Sequence, residues 1–149
     1  MTRQFGRFEI LKKIATGGMA EIHVAKMEGV EGFEKLVVIK LLLKELAEDQ
    51  KFVQMFLNEA RLASRLNHPN VVQIYDLGVS DGEYYIAMEF IHGESLYRLA
   101  KARRKQKKLV PLQYTLRVAS QVCEGLHYAH TKIDVHGNPM NRPRAHRSP

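Results

Sequence analysis

Cysteine is nearly missing from this chain: Cys123 stands alone in 149 residues. That excludes an internal disulfide and fits a reducing compartment. Cys123 falls on an apolar helical face, where an inert core thiol is expected rather than a nucleophile. No run approaches the ~20 apolar residues of a membrane helix. The opening Met1-Thr2-Arg3-Gln4-Phe5-Gly6-Arg7 is too polar for a signal peptide. A cytoplasmic protein with no membrane span is expected. There is no G-x-G-x-x-G and no regular alternation of strand and helix patterns, which argues against a Rossmann-type dinucleotide binder. Metal-ligand spacing is also lacking. His127 and His130 lie one helical turn apart without a third ligand.

What is present describes a globular chain: 45% apolar and 26% charged residues, at a length suited to one ordinary domain. Acids are outnumbered, 16 against 23 Lys and Arg, for a formal charge of +7. The excess is local. Residues 101–108 hold six cations (Lys101, Arg103, Arg104, Lys105, Lys107, Lys108), and residues 141–149 hold three (Arg142, Arg144, Arg147), with no acid in either. Without those nine the charge is −2, that is +7 less nine. Two local runs without interleaved aromatics do not make a nucleic-acid stripe. The 101–108 run reads as a solvated connection between helices.

The informative feature is a misplaced pair of charges. Val37-Val38-Ile39-Lys40 puts a lysine at the end of a buried strand. In the next apolar helix, Phe52, Phe56, Ala63 and Leu66 recur at helical spacing, with Glu59 in register three residues after Phe56. Glu48 and Asp49 suit the start of that helix, and Pro69 marks that it has ended. Taken alone, Glu59 reads as an acid at the edge of the stripe, reaching water. Lys40 changes the reading: buried charges are normally paired, so Lys40 and Glu59 are expected to pair and to hold a site.

Before Lys40, two alternating apolar runs, Ile10–Ile14 and Ala20–Ala25, flank Gly17-Gly18 and predict a hairpin. Glycines there let backbone approach a phosphate closely. A second turn, Glu28-Gly29-Val30-Glu31-Gly32, leads into the lysine strand.

In this order the residues resemble the N-terminal lobe of a protein kinase, of the bacterial eukaryotic-like (Hanks-type) serine/threonine kind. Ala15-Thr16-Gly17-Gly18-Met19-Ala20-Glu21-Ile22 resembles G-x-G-x-x-G-x-V, although two of its glycines are alanine here. Val37-Val38-Ile39-Lys40 resembles V-A-I-K, and Asn58-Glu59-Ala60 the family's αC glutamate. Leu66-Asn67-His68-Pro69-Asn70-Val71-Val72 resembles the link to the fourth strand. Tyr84-Tyr85-Ile86-Ala87-Met88-Glu89-Phe90 resembles the fifth strand and hinge, and Gly93-Glu94-Ser95-Leu96 the start of αD. The resemblance covers residues 7 to 140.

It implies an α+β fold: a five-stranded antiparallel sheet with αC, then αD and αE of an incomplete helical lobe. The domains implied are a lobe over 1–93, a partial helical lobe over 94–140, and a basic disordered tail over 141–149. It further implies that Lys40 contacts the α- and β-phosphates of ATP with Glu59 holding it. Ile14, Val24 and Val38 would sandwich the adenine. Met88 would stand beside it as gatekeeper. Backbone groups of Glu89 and Ile91 would bond its edge, Glu94 would meet the ribose, and Gly17 and Gly18 would cover the phosphates. ATP and Mg2+ would be the cofactors and a protein the substrate.

The family also needs H-R-D and D-F-G. Here Ser148 follows His146-Arg147, and D-F-G is absent, so the Mg2+ ligands are missing too. A chain truncated before the catalytic loop, by frameshift or by nature, and inactive alone is expected. The stripe Leu112, Leu116, Ala119, Cys123, Leu126 on the helix after Pro111 would then need other cover, such as the missing lobe or a partner protein.

Overall fold

The computed structural model describes residues 3–132. They form two compact units, residues 3–67 with 72–91, and residues 68–71 with those from 92 onward.

The first unit is built on one antiparallel sheet. Its strands are β1 (Arg3–Phe5), β2 (Phe8–Thr16), β3 (Ala20–Glu28), β4 (Glu34–Leu42), β5 (Ile74–Ser80) and β6 (Glu83–Glu89), in the order β1-β2-β3-β4-β6-β5. Five strands were expected from the sequence. The sixth is the short β1, where Phe5 is fully buried inside an otherwise polar opening segment. One apolar residue in three is too weak a pattern to be legible without the sheet it joins.

Each hairpin has a local cause. At the β2–β3 turn the Gly17 N–H donates to the Ala20 carbonyl at 2.8 Å. Asp81 and Gly82 join β5 to β6 with φ of 50° and 76°. Positive φ at both central residues is the geometry that suits the right-handed twist of a two-residue hairpin. Between β3 and β4 a single 3-10 turn, Val30–Gly32, reverses the chain.

Strand alternation gives β4 two apolar faces. Val37, Ile39 and Leu41 join Phe5, Phe8, Ile10, Ala25 and Ala87 in one core cluster. Leu42 joins Ala20 and Ile86 in a second cluster, under the helix. The sheet curls: Phe5 and Phe8 meet Tyr85 of β6 edge-on, at centroid distances of 5.5 and 5.6 Å. Arg3 pairs with Glu83, and Arg7 pairs with Asp76 at 2.7 Å, so charges join the first strands to the last two.

Two helices follow β4: α1 (Lys44–Ala47) and α2 (Gln50–Ala63). Asp49 caps α2, accepting the Lys51 N–H at 2.8 Å. The buried line of α2 is Val53, Phe56 and Ala60. Phe52, Ala63 and Leu66, expected as the stripe, are only half-buried. The stripe is rotated from the expected one, so Glu59 sits on its edge instead of facing the core.

In the second unit, Ser95 caps α3 (Leu96–Lys105) by accepting the Arg98 N–H at 3.2 Å. Lys101 to Lys105 lie within this helix, so the basic run is mostly helix C-terminus and not the expected connection. Cations there complement the helix dipole. Arg103 closes the following turn, donating to the Leu109 carbonyl at 3.0 and 3.2 Å. The long α4 (Leu112–Thr131) receives residues 68–71. His68 stacks on Tyr128 at 5.0 Å, and Asn70 donates to Glu124 at 3.2 Å. Gly125 is buried there, and a Cβ would lie 3.2 Å from the Asn70 carbonyl oxygen. Leu112, Leu116, Val122 and Leu126 are exposed. Cys123 is exposed as well, which corrects its reading as a core thiol: nothing described covers that face of α4. Among the described residues no helix is long and apolar enough to cross a membrane. The readings of residues 141–149, and of His146-Arg147-Ser148, lie outside the described residues.

Candidate active site

Strand register assembles the site. Val24 of β3, Val38 of β4 and Met88 of β6 stand in one row across three strands. Two pairs along, Ile22, Lys40 and Ile86 form the next row on the same face. Directly paired residues share a face, so the two rows make an apolar surface with one cation in it. This face carries α2. From that helix Glu59 accepts a hydrogen bond from Lys40 Nζ at 2.7 Å. The expected pairing is therefore found, while the expected burial is not: the lysine side chain is 17% exposed and the glutamate 55%. The Lys40 ammonium also lies 5.8 Å from the Phe56 ring centroid. Burying the stem while keeping the head polar is how a long cation tolerates such a face.

The glycine turn lies beyond the Lys40 row. Ala20 and Glu21 pair with Leu42 and Leu41, two and one positions past Lys40. Neither Gly17 nor Gly18 has positive φ. A Cβ on Gly17 would make only ordinary contact, at 3.6 Å, and one on Gly18 would meet nothing. The fold itself does not demand glycine at these two positions. Ile14 sits at a register irregularity between Lys13 and Ala15 and is half-exposed.

At the far end of the row, Met88 is half-buried and packs on the helix-side cluster. The Glu89 N–H donates to the Gln73 carbonyl at 2.9 Å, and its carboxylate accepts the Gln73 N–H at 3.3 Å. Ile91 is exposed. Glu94 belongs to the second unit, where it pairs with Arg98 at 3.1 Å.

Ile22 was missed as a site residue. Its signal was in the motif: it occupies the terminal valine position of G-x-G-x-x-G-x-V, and the register sets it opposite Lys40. The cluster behind the turn was missed too. Glu21 accepts from Lys13 Nζ at 2.7 Å and faces His23 Nε2 at 3.1 Å. These hydrogen bonds, Lys13 first, hold the Glu21 carboxyl below the usual carboxylate range. Among the described residues no group of three His, Cys, Asp or Glu could hold a metal ion.

A glycine turn, a strand lysine and a helix glutamate on one sheet are the parts of a kinase N-lobe. A family model described as "Protein tyrosine and serine/threonine kinase" matches residues 8–142. The chain belongs to the protein kinase family. It is 43% identical over 141 residues to the tyrosine-protein kinase MasK of Myxococcus xanthus, covering 95% of this chain and 22% of that protein. It is 38% identical over 131 residues to the serine/threonine-protein kinase PrkC of Bacillus subtilis, covering 88% and 19%. Among solved structures it is similar to the kinase domain of Mycobacterium tuberculosis PknI in its C20A form. That match has a TM-score of 0.68 and 26% identity, over 87% of this chain and 50% of that one. The chain thus spans about a fifth of the curated relatives it matches.

Proposed function

We propose that this chain is the ATP-binding part of a cytoplasmic protein serine/threonine kinase. The Lys40–Glu59 bond at 2.7 Å, formed between a strand and a helix, carries the reading. In it Glu59 aims the ammonium at the α- and β-phosphates, and its half-exposure leaves that end of the pair open to a ligand. Ile14, Ile22, Val24, Val38 and Met88 offer the apolar surface that an adenine ring needs. Backbone groups of Glu89 and Ile91 serve its edge. Gly17 and Gly18 support the phosphate role, since nothing in the fold itself requires glycine there.

ATP fits these residues. Mg2+ would neutralise charge on the phosphates during transfer, but no ligand for it is assigned among them. Phosphoryl transfer also needs a carboxylate to orient the nucleophile, and no H-R-D or D-F-G occurs in these 149 residues. They bind nucleotide and do not turn it over by themselves. The test is a melting shift with ATP for the native chain and for Lys40→Ala. The native chain shifts and the variant does not; no shift in the native chain ends the reading. Two alternatives compete with it. The name of MasK favours tyrosine as the acceptor. A D-F-G missing from the whole enzyme containing this chain would favour a non-catalytic nucleotide- or partner-binding module. Phosphoamino-acid analysis of the enzyme containing this chain decides both.

A further inference from the structure

The cluster behind the glycine turn has no part in the site described so far. Lys13, Glu21 and His23 lie on the β2–β3 hairpin, on the face opposite Ile22 and Val24. His23 shares its row with Ile39, and Glu21 with Leu41, both of the inner core cluster. The cluster is therefore behind the nucleotide face and touches no ligand.

Its place in the register is specific. β2 is irregular between Lys13 and Ala15, so one residue, Ile14, has no partner of its own on β3. Lys13 is on the strand side of that irregularity, opposite His23. Glu21 is on the loop side, opposite Thr16. The 2.7 Å bond from Lys13 to Glu21 therefore spans the bulge. A bulge sets two residues of one strand against one of its partner, so the register there can change by one, and a one-residue slip turns every side chain beyond it to the other face. A charge pair reaching across it resists that slip.

His23 steadies the same carboxylate from the other side. Its Nε2 lies 3.1 Å from Glu21 Oε2, and its side chain is only 12% exposed. Its Nδ1 is buried without a partner. The proton thus belongs on Nε2, where the carboxylate accepts it, because a lone pair is cheaper to bury than an N–H. Glu21 follows Ala20, whose carbonyl closes the glycine turn, by one residue.

We propose that Glu21, held between Lys13 and His23, is a positioning residue for phosphate binding, which locks the register of the hairpin so that the Gly17–Gly18 backbone meets the phosphates pre-ordered. The inference rests on the ATP-binding reading and deepens it. A turn that is not ordered in advance must be ordered at binding, and that cost falls on the ligand. The cost falls on ligands that use the turn and not on ligands that use only the adenine face. ATP and adenosine therefore separate the two.

The experiment is calorimetric titration of ATP and of adenosine into the native chain, Glu21→Gln and Lys13→Gln, with melting curves to show that each variant is folded. Glu21→Gln is expected to raise the Kd for ATP about two- to fivefold, the size of losing a half-exposed ion pair. Adenosine should bind all three proteins equally. Lys13→Gln should match Glu21→Gln, and a double variant titrated alongside them should be no worse than either, because the two act as one unit. Equal weakening of ATP and adenosine would mean a general structural role and would overturn the proposal. So would unchanged ATP binding in both variants. If the native chain binds neither ligand, the ATP-binding reading has failed; if it binds both and the variants do not discriminate, only the clamp has.

Discussion

Replacing Glu59 by glutamine removes the charge opposite Lys40 and keeps nearly the same shape. The cost depends on how dry the pair is. A buried lysine stripped of its carboxylate would cost about 3–5 kcal/mol. Here the lysine side chain is 17% exposed but the glutamate is 55% exposed. Water already solvates the acid, and after substitution the flexible ammonium can turn toward solvent or toward the amide oxygen. The loss is then that of an exposed pair, about 0.5–1 kcal/mol. Urea unfolding of the native chain and of Glu59→Gln measures it, as a lower midpoint at an unchanged slope. Lys40→Met and the double variant complete a cycle, whose coupling should stay at or below about 1 kcal/mol. A single-variant loss of 3 kcal/mol or more would refute the reasoning, because it would show that the pair is desolvated in solution. The small stability effect contrasts with the loss of ATP binding expected for Lys40→Ala.

Two other perturbations test the core. Phe56 is fully buried between α2 and the sheet, so Phe56→Ala should cost about 3–5 kcal/mol in the same urea assay, and a loss below about 1 would place the helix elsewhere. The Tyr85 phenol is pushed above its usual range, first by burial and then by its hydrogen bond to Asp76 at 2.9 Å. A folded-state value above the unfolded one means that stability is whole below the unfolded value of about 10 and is lost as pH rises through the folded one. Melting temperature should therefore fall above about pH 10, and Tyr85→Phe should flatten that fall; identical profiles would contradict it.

Much of the site was legible because its signals are local. Gly17-Gly18 between alternating runs specifies a hairpin within 16 residues of sequence, Ile10 to Ala25. A lysine ending an apolar strand and a glutamate in the following helix are each odd enough to be noticed. Their pairing follows from the cost of leaving either alone. The distance of 2.7 Å agreed. The burial of the pair did not, because helical phase is set by which residues touch the sheet. Phe52 and Val53 are both apolar, and only packing against the second core cluster selects Val53 as the buried one. That choice turns the helix and brings Glu59 to the edge.

The strand β1, the curl of the sheet and the cluster behind the glycine turn are tertiary facts. Phe5 is buried because Tyr85, eighty residues later, supplies its cover. Lys13, Glu21 and His23 look like ordinary surface residues until the irregular register brings them together. Sequence by itself determined the order of the main elements after β1, the first two turns and the identity of the paired charges, since periodicity and turn chemistry act over a few residues. The tertiary structure alone decided which face each helix buries, how wet the central ion pair is and which side chains meet across strands, because those depend on contacts between residues distant in the chain.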